Sequence, residues 1–252
     1  MRIVRVSVKG LPSYGVVDGN VVRLLASAPY EGVEFTGNQV DWDESALLAP
    51  VEPGKVVCVG KNYADHAAEM GGEVPPEPVI FLKPSTSVIG PGAAIVLPPQ
   101  SSEVHHEAEL AVVIGRTCRN AQPDEVAAHV LGYTVANDVT ARDLQRSDGQ
   151  WTRAKGFDTF CPIGPWIETD IDVSDAAVMC TVDGQTRQSG TTLDLVRGVA
   201  EMVSWISRVM TLEPGDVVLT GTPAGVGPLQ AGQTVVCSIE GIGSLSNPVV
   251  LP

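Results

Sequence analysis

His105-His106-Glu107-Ala108-Glu109-Leu110-Ala111-Val112-Val113-Ile114-Gly115 begins acidic and runs into an apolar strand. In a strand, residues two apart share a face, so Glu107 and Glu109 project together while Ala108 and Leu110 point the other way. Two carboxylates held that close raise each other's pKa and cost stability, an arrangement easiest to understand if a cation neutralises them. The pattern also fits a solvent-facing edge that carries two glutamates.

Outward from this stretch, short apolar runs recur at Lys55 to Val59, Val79 to Leu82, Ala94 to Leu97, Gly132 to Val135, Val178 to Val182, Val217 to Leu219 and Val235 to Ile239, most of them separated by turn residues. Strands this frequent with few helices between them predict an α+β protein that is mainly β, antiparallel or mixed, not a βα alternation. Towards the N-terminus, Arg2 to Val8 reads as a strand, and Asp18-Gly19-Asn20 predicts a hairpin between Tyr14–Val17 and Val21–Leu25. From Ala26 to Pro50 the periodicity fades. Glu52-Pro53-Gly54 then marks a boundary, so a small N-terminal domain over 1–53 is expected before a larger one over 54–252. Helical spacing predicts helices over Pro123 to Leu131 and over Thr192 to Met210, the latter capped by Thr192, and a short one over Tyr63 to Met70 capped by Asn62.

The chain has 252 residues, 44% hydrophobic and 18% charged. No stretch approaches the roughly 18 apolar residues of a membrane-spanning helix. The first residues carry scattered cations and no continuous apolar segment, so a secretory signal is not expected and the cytosol is the default compartment. The five cysteines are odd in number and widely spaced among apolar neighbours, the pattern of buried reduced thiols. A formal net charge of -14 without a basic cluster argues against nucleic-acid binding and serves solubility.

Further residues carry candidate chemistry. Asp138 ends the apolar run of Thr134-Val135-Ala136-Asn137, where an aspartate is expensive to bury without a partner, though it can instead cap the following turn. Three carboxylates without a thiolate make a hard oxygen site that suits Mg²⁺, Mn²⁺ or Ca²⁺, while His105, on the Glu107 face, keeps a zinc-like site open. His66 and Glu69 are three apart on the short helix, a spacing that suits a carboxylate-oriented general base or a surface ion pair. Lys155 stands among aromatics and a glycine, free to snorkel outward. Thr220-Gly221-Thr222-Pro223-Ala224-Gly225-Val226-Gly227 is a glycine-rich loop able to turn backbone N–H groups towards an anion, without the Gly-Lys-Ser/Thr of a Walker loop.

In order and spacing, Gly60-Lys61-Asn62-Tyr63-Ala64-Asp65-His66-Ala67-Ala68-Glu69-Met70, the His105 to Gly115 stretch, Ala136-Asn137-Asp138-Val139-Thr140-Ala141-Arg142-Asp143-Leu144-Gln145, Lys155-Gly156-Phe157-Asp158-Thr159-Phe160 and Gly221 to Gly227 resemble the fumarylacetoacetate hydrolase family. The resemblance covers Lys55 to Pro248 and implies a mixed β-sandwich roll, a homodimer and one metal site per subunit. It places Glu107, Glu109 and Asp138 on the metal ligands, Lys155 beside the metal, and His66 with Glu69 on the catalytic pair of a mobile lid. Arg142, Gln145 and Thr222 fall on substrate contacts. Thr191 stands where related proteins often have asparagine, which bears on substrate contacts near Thr192. The implied substrate is a small 2-oxo acid whose enolate the metal stabilises. The implied reaction is carbon–carbon hydrolysis of an acylpyruvate, decarboxylation of an oxaloacetate-like acid, or isomerisation of a hydroxymuconate-type diacid of aromatic catabolism. A metal-dependent carboxylate-binding protein without turnover is the competing class.

Overall fold

The computed structural model describes residues 1–252. Its chain opens with β1 (Arg2–Val8), β2 (Leu11–Asp18), β3 (Val21–Leu25) and β4 (Phe35–Asp41). The two-residue reversal between β2 and β3 is made by Gly19 at φ 60° followed by Asn20, as the Asp-Gly-Asn signal predicts. Strand β4 lies in the region where periodicity fades, because nearly all of its residues are exposed and no apolar face has to be written into it.

After β4 come β5 (Val56–Gly60), α1 (Ala64–Glu69), β6 (Val79–Lys83), β7 (Val88–Ile89), β8 (Ile95–Val96), β9 (Val104–His106), β10 (Ala108–Ile114), β11 (Val130–Asn137) and β12 (Thr140–Ala141). They are followed by α2 (Arg142–Asp148), α3 (Thr152–Lys155), β13 (Cys161–Glu168), β14 (Ala177–Val182), β15 (Gln185–Thr191), α4 (Val199–Val209), β16 (Val217–Leu219), β17 (Gly227–Pro228), β18 (Thr234–Ile239) and β19 (Gly243–Val250). The large sheet runs β4-β3-β2-β1-β13-β11-β10-β16-β5-β6, with β7 also paired to β13, and a second sheet runs β15-β14-β18-β19-β8. Pairing is mostly antiparallel, with parallel contacts at β16–β5, β13–β7 and β19–β8, so the architecture is the expected mixed β with a few helices. Strand β1 pairs with β13 through Arg2↔Glu168 and Ile3↔Ile167, so the first four strands continue the large sheet. No helix is long and apolar enough to cross a membrane.

Alternation along β10 divides the core. Ala108 and Leu110 pack with Val178, Cys180, Val235 and Leu245 between the two sheets, and Val112 and Ile114 pack with Met202, Val203 and Ile206 of α4. Ala111 and Val113 face the other way, onto Ile3, Val56, Cys161 and Val217. Glu109 shares the parity of Ala111 and therefore that second face. Burying apolar side chains on this scale contributes roughly 25 cal/mol per Å², enough to hold a polar site rigidly at one end of the strands. All five cysteines are free and buried.

Two expected helices differ. Over 123–131 there is a single 3₁₀ turn, Val126–Ala128, and β11 starts at Val130 because pairing with β10 takes over the chain. Over 192–210, a 3₁₀ turn at Thr192–Asp194 is followed by a break, and α4 starts only after the extended Gly198. Asn62 enforces that break. Its carbonyl accepts from Val196 N and its Oδ1 accepts from Arg197 N at 3.0 Å, so neither amide enters a helix. The Thr192 hydroxyl caps nothing and binds Val173 O and Ala176 N instead. Asn62 likewise does not cap α1; Tyr63 occupies that position without a side-chain bond.

Candidate metal and active site

The register between β10 and β11 assembles the acidic cluster. Ala108 stands opposite Asn137, and the next step of the ladder is Asp138 N donating to Glu107 O at 2.9 Å, which sets Glu107 beside Asp138. Glu107 lies in the break between β9 and β10, its amide held by Asn137 Oδ1 at 2.9 Å. One oxygen from each of Glu107, Glu109 and Asp138 lies within 4.8 Å of the others, and all three residues are buried. The alternative of an exposed edge therefore falls, as does capping by Asp138, since Ala141 precedes α2.

Three buried cations face these acids. Lys155 Nζ donates to Glu107 Oε2 at 2.8 Å and to Asp138 Oδ2 at 2.5 Å. Lys83 Nζ donates to Asp138 Oδ1 at 2.5 Å and to Val139 O at 3.1 Å. Arg142 reaches Glu107 Oε1 through Nη2 and Gln145 Oε1 through Nη1. Lys155 does not snorkel, because α3 ends inside the fold and sets its ammonium 4.9 Å from the centre of the Phe81 ring. His105 turns to Glu103 at 3.1 Å and stays out of the cluster, which removes the zinc-like set.

Glu109 differs from its neighbours. Its Oε2 accepts from Gly221 N at 2.7 Å, and no donor reaches Oε1. Gly221 sits at φ +102° with Asn62 so near that a Cβ would stand 2.9 Å from it, so glycine is what lets this amide face the carboxylate. Burial, then the charges of Asp138 and Glu107, push the Glu109 carboxyl well above the usual range. Burial acts in the same direction on Glu107, but Lys155, Arg142 and His66 outweigh it and hold that carboxyl well below the usual range. Burial lowers the Lys155 ammonium less than Asp138 and Glu107 raise it. A carboxylate repelled by two others, with an oxygen lacking a donor, fits a divalent cation, and the all-oxygen set suits Mg²⁺ or Mn²⁺.

The cavity above the cluster measures about 170 Å³ and is lined by His66, Arg142, Gln145, Lys155 and Thr222 together with the three acids. Trp151 and Phe81, stacked edge to face at 5.2 Å, close one wall. Gly60 makes room for that wall, since a Cβ there would meet the Trp151 ring at 2.7 Å. His66 is buried on α1, with Nδ1 3.3 Å from Glu69 Oε2. Glu69 does not line the cavity; it stands behind the imidazole, and its carboxylate accepts from Gly225 N at 3.1 Å, which fastens α1 to the glycine-rich loop. The Thr222 hydroxyl is engaged on both sides, donating to Ala108 O and accepting from Gln188 Nε2. Thr192 is not among the residues lining this cavity.

Sequence reasoning missed Lys83, Phe81, Trp151 and Gln188. Lys83 carried a signal: it shares strand parity with Val79 and Phe81 and ends an apolar run before Pro84. Gln188 carried none, since only β14–β15 pairing brings it under Thr222 and His106.

The model of the fumarylacetoacetate (FAA) hydrolase C-terminal family matches residues 55–250, and the Rv2993c-like N-terminal model matches 1–50. A crystal structure of 5-carboxymethyl-2-hydroxymuconate delta-isomerase from Mycobacterium smegmatis is 49% identical, covers 100% of both chains and superposes with a TM-score of 0.92. The human mitochondrial oxaloacetate tautomerase FAHD2B is 47% identical over 83% of this chain and 71% of its own length. Fumarylpyruvate hydrolase from Pseudomonas aeruginosa, solved in complex with Mn²⁺ and pyruvate, is 39% identical over 80% of this chain and 91% of that one, with a TM-score of 0.76. With two family models tiling the chain and relatives near half identity, this protein belongs to the fumarylacetoacetate hydrolase family.

Proposed function

We propose that the protein is a divalent-metal-dependent tautomerase or isomerase of a small 2-oxo dicarboxylic acid, moving a proton at the carbon beside the keto group. The observation that carries this reading is His66, a buried imidazole with a carboxylate behind it, lining the same cavity as the three acids and Lys155. Glu107, Glu109 and Asp138 would hold the metal, and a divalent ion there supplies Lewis acidity to the keto oxygen. The Lys155 ammonium places fixed positive charge where that oxygen becomes negative. Because Nδ1 faces Glu69, Nε2 is the nitrogen left to carry a proton between the enol oxygen and the carbon. Arg142 and Gln145, locked together at 2.6 Å, orient the acid's carboxylate end. The human oxaloacetate tautomerase and the Mycobacterium smegmatis isomerase are 47% and 49% identical, against 39% for the fumarylpyruvate hydrolase.

Acylpyruvate hydrolysis is the second reading, favoured by the likeness to fumarylpyruvate hydrolase; His66 would then activate water. Decarboxylation of an oxaloacetate-like acid shares the same enolate-forming half. Following enol decay of oxaloacetate and cleavage of acetylpyruvate and fumarylpyruvate, with Mg²⁺ or Mn²⁺ and after chelation, separates them. Enol decay accelerated only with metal supports the proposal; decay at the buffer rate alongside acylpyruvate cleavage replaces it with the second reading. His66→Ala should cost about 10²- to 10⁴-fold in turnover while Mn²⁺ still binds by calorimetry. Retained turnover would remove the imidazole from the mechanism. We also propose a homodimer, which sedimentation velocity reads directly.

A further inference from the structure

Of the lysines and arginines lining the cavity, Lys155 and Arg142 are each spent on carboxylates, while Lys61 has no ion-pair partner and its side chain makes no hydrogen bond within the protein. Lys61 lies directly after β5, half-buried, at the cavity wall formed with Gly60, His66, Met70 and Trp151. Its backbone is left-handed, with φ 57°. That conformation is costly for a side chain with a Cβ, so glycine or asparagine would suit the turn better. The following Asn62 fixes the turn, its Nδ2 donating to Arg197 O at 3.0 Å and to Thr220 O at 2.9 Å. The ammonium then extends to the turn that ends α1, where Gly72 leaves it room: a Cβ on Gly72 would stand 3.0 Å from Nζ. A strained lysine without an ion-pair partner thus stands on the cavity wall, beside Lys155 and Arg142, whose charges are paired with carboxylates of the cluster.

We infer that Lys61 anchors the second carboxylate of the substrate, so that the site selects 2-oxo dicarboxylates over 2-oxo monocarboxylates. This rests on the proposed function for its reaction but not for its binding. With a 2-oxo acid's own carboxylate and keto oxygen directed to the cluster, Arg142 and Gln145, a second carboxylate on the far carbon points to the remaining wall. There Lys61 is the one cation available to pair with it. A charge-assisted hydrogen bond of this kind changes binding by about ten- to a hundredfold.

The test is the ratio of kcat/KM for the enol of oxaloacetate to that for the enol of phenylpyruvate, a monocarboxylate, in the parent, Lys61→Gln, Lys61→Gly and Lys61→Arg. Lys61→Gly keeps the left-handed backbone at no steric cost, so folding is not at issue in that variant. The ratio should fall about ten- to a hundredfold in Lys61→Gln and Lys61→Gly, through KM for the dicarboxylate, and recover in Lys61→Arg. A ratio that stays constant overturns the inference, and so does a loss carried by kcat alone on both substrates. Calorimetric titration of the Mn²⁺-loaded protein with malonate and with acetate gives a readout without turnover. A preference for malonate that Lys61→Gln abolishes supports the anchor even if no 2-oxo acid is turned over, in which case only the proposed reaction fails. A preference that survives Lys61→Gln overturns the anchor.

Discussion

Asp216 and Glu109 are both buried carboxylates at the ends of neighbouring strands, yet they are opposites. Asp216 is saturated: Lys55 N donates to Oδ1 at 3.0 Å, Glu213 N donates to Oδ2 at 2.7 Å, and the Lys55 ammonium closes the pair. Glu109 has one amide donor, faces two like charges, and keeps an oxygen without a donor. A buried carboxylate whose lone pairs are satisfied from within is a structural element; one left deficient and repelled has the character of a cation ligand. Both regions lie in one rigid sheet, so the difference arises from side-chain partners and not from burial.

The largest effect expected from this contrast is at Glu109. Glu109→Gln keeps the volume and the Gly221 contact but removes a repelled charge. It should cut metal-dependent activity by about 10⁴-fold, the scale of losing a catalytic ion's charge stabilisation, while the metal-free protein melts no lower than the parent. A drop in metal-free melting temperature would show that Glu109 is held as Asp216 is. Asp216→Asn should do the reverse. Leaving the Lys55 ammonium without its partner should cost roughly 3 kcal/mol of stability by urea unfolding, with activity per folded molecule retained. If activity falls while stability holds, the contrast fails at that end.

The smallest effect sharpens the comparison on the surface. Asp143 opens α2, and although burial acts to raise its carboxyl, hydrogen bonds from Ser101 and Ser102 and from the Leu144 amide bring it down to about 2. A carboxyl lowered on folding adds stability that is complete above its unfolded value near 4 and is lost as pH falls through 2. Asp143 is largely solvated, which screens the gain. Asp143→Ala should therefore lower stability by about 0.5–1 kcal/mol at neutral pH, and the gap should close between about pH 4 and pH 2. A gap independent of pH would assign the effect to packing.

How much of this was legible varies with the range of the signal. The Asp-Gly-Asn reversal, the β10 alternation and the recurrent apolar runs are local, and the hairpin, the shared face of Glu107 and Glu109 and the mixed β class could be read from them. Strand β4 and the break before α4 could not. The first has no buried face to leave a pattern, and the second is imposed by Asn62, more than a hundred residues away in sequence. At the site, the acids could be named because strand parity and an aspartate ending an apolar run are written in neighbouring residues. Lys83 left only the trace of a lysine ending an apolar run, its pairing with Asp138 being set by the sheet, and Gln188 left none, because it reaches Thr222 and His106 from β15 across other strands.

Neighbouring residues along the chain settle which side chains are available: three carboxylates at strand ends, a histidine followed at three residues by a glutamate, and glycines where the backbone must turn. Their state follows from the folded sheet. The pairing of β10 with β11 set Glu107 beside Asp138, three cations were spent on those two acids, and Glu109 was left one donor short. The physical reason is that a carboxylate's charge, reach and spare lone pairs depend on what stands within a few ångströms of it. Those neighbours come from strands that touch only when the sheet has formed.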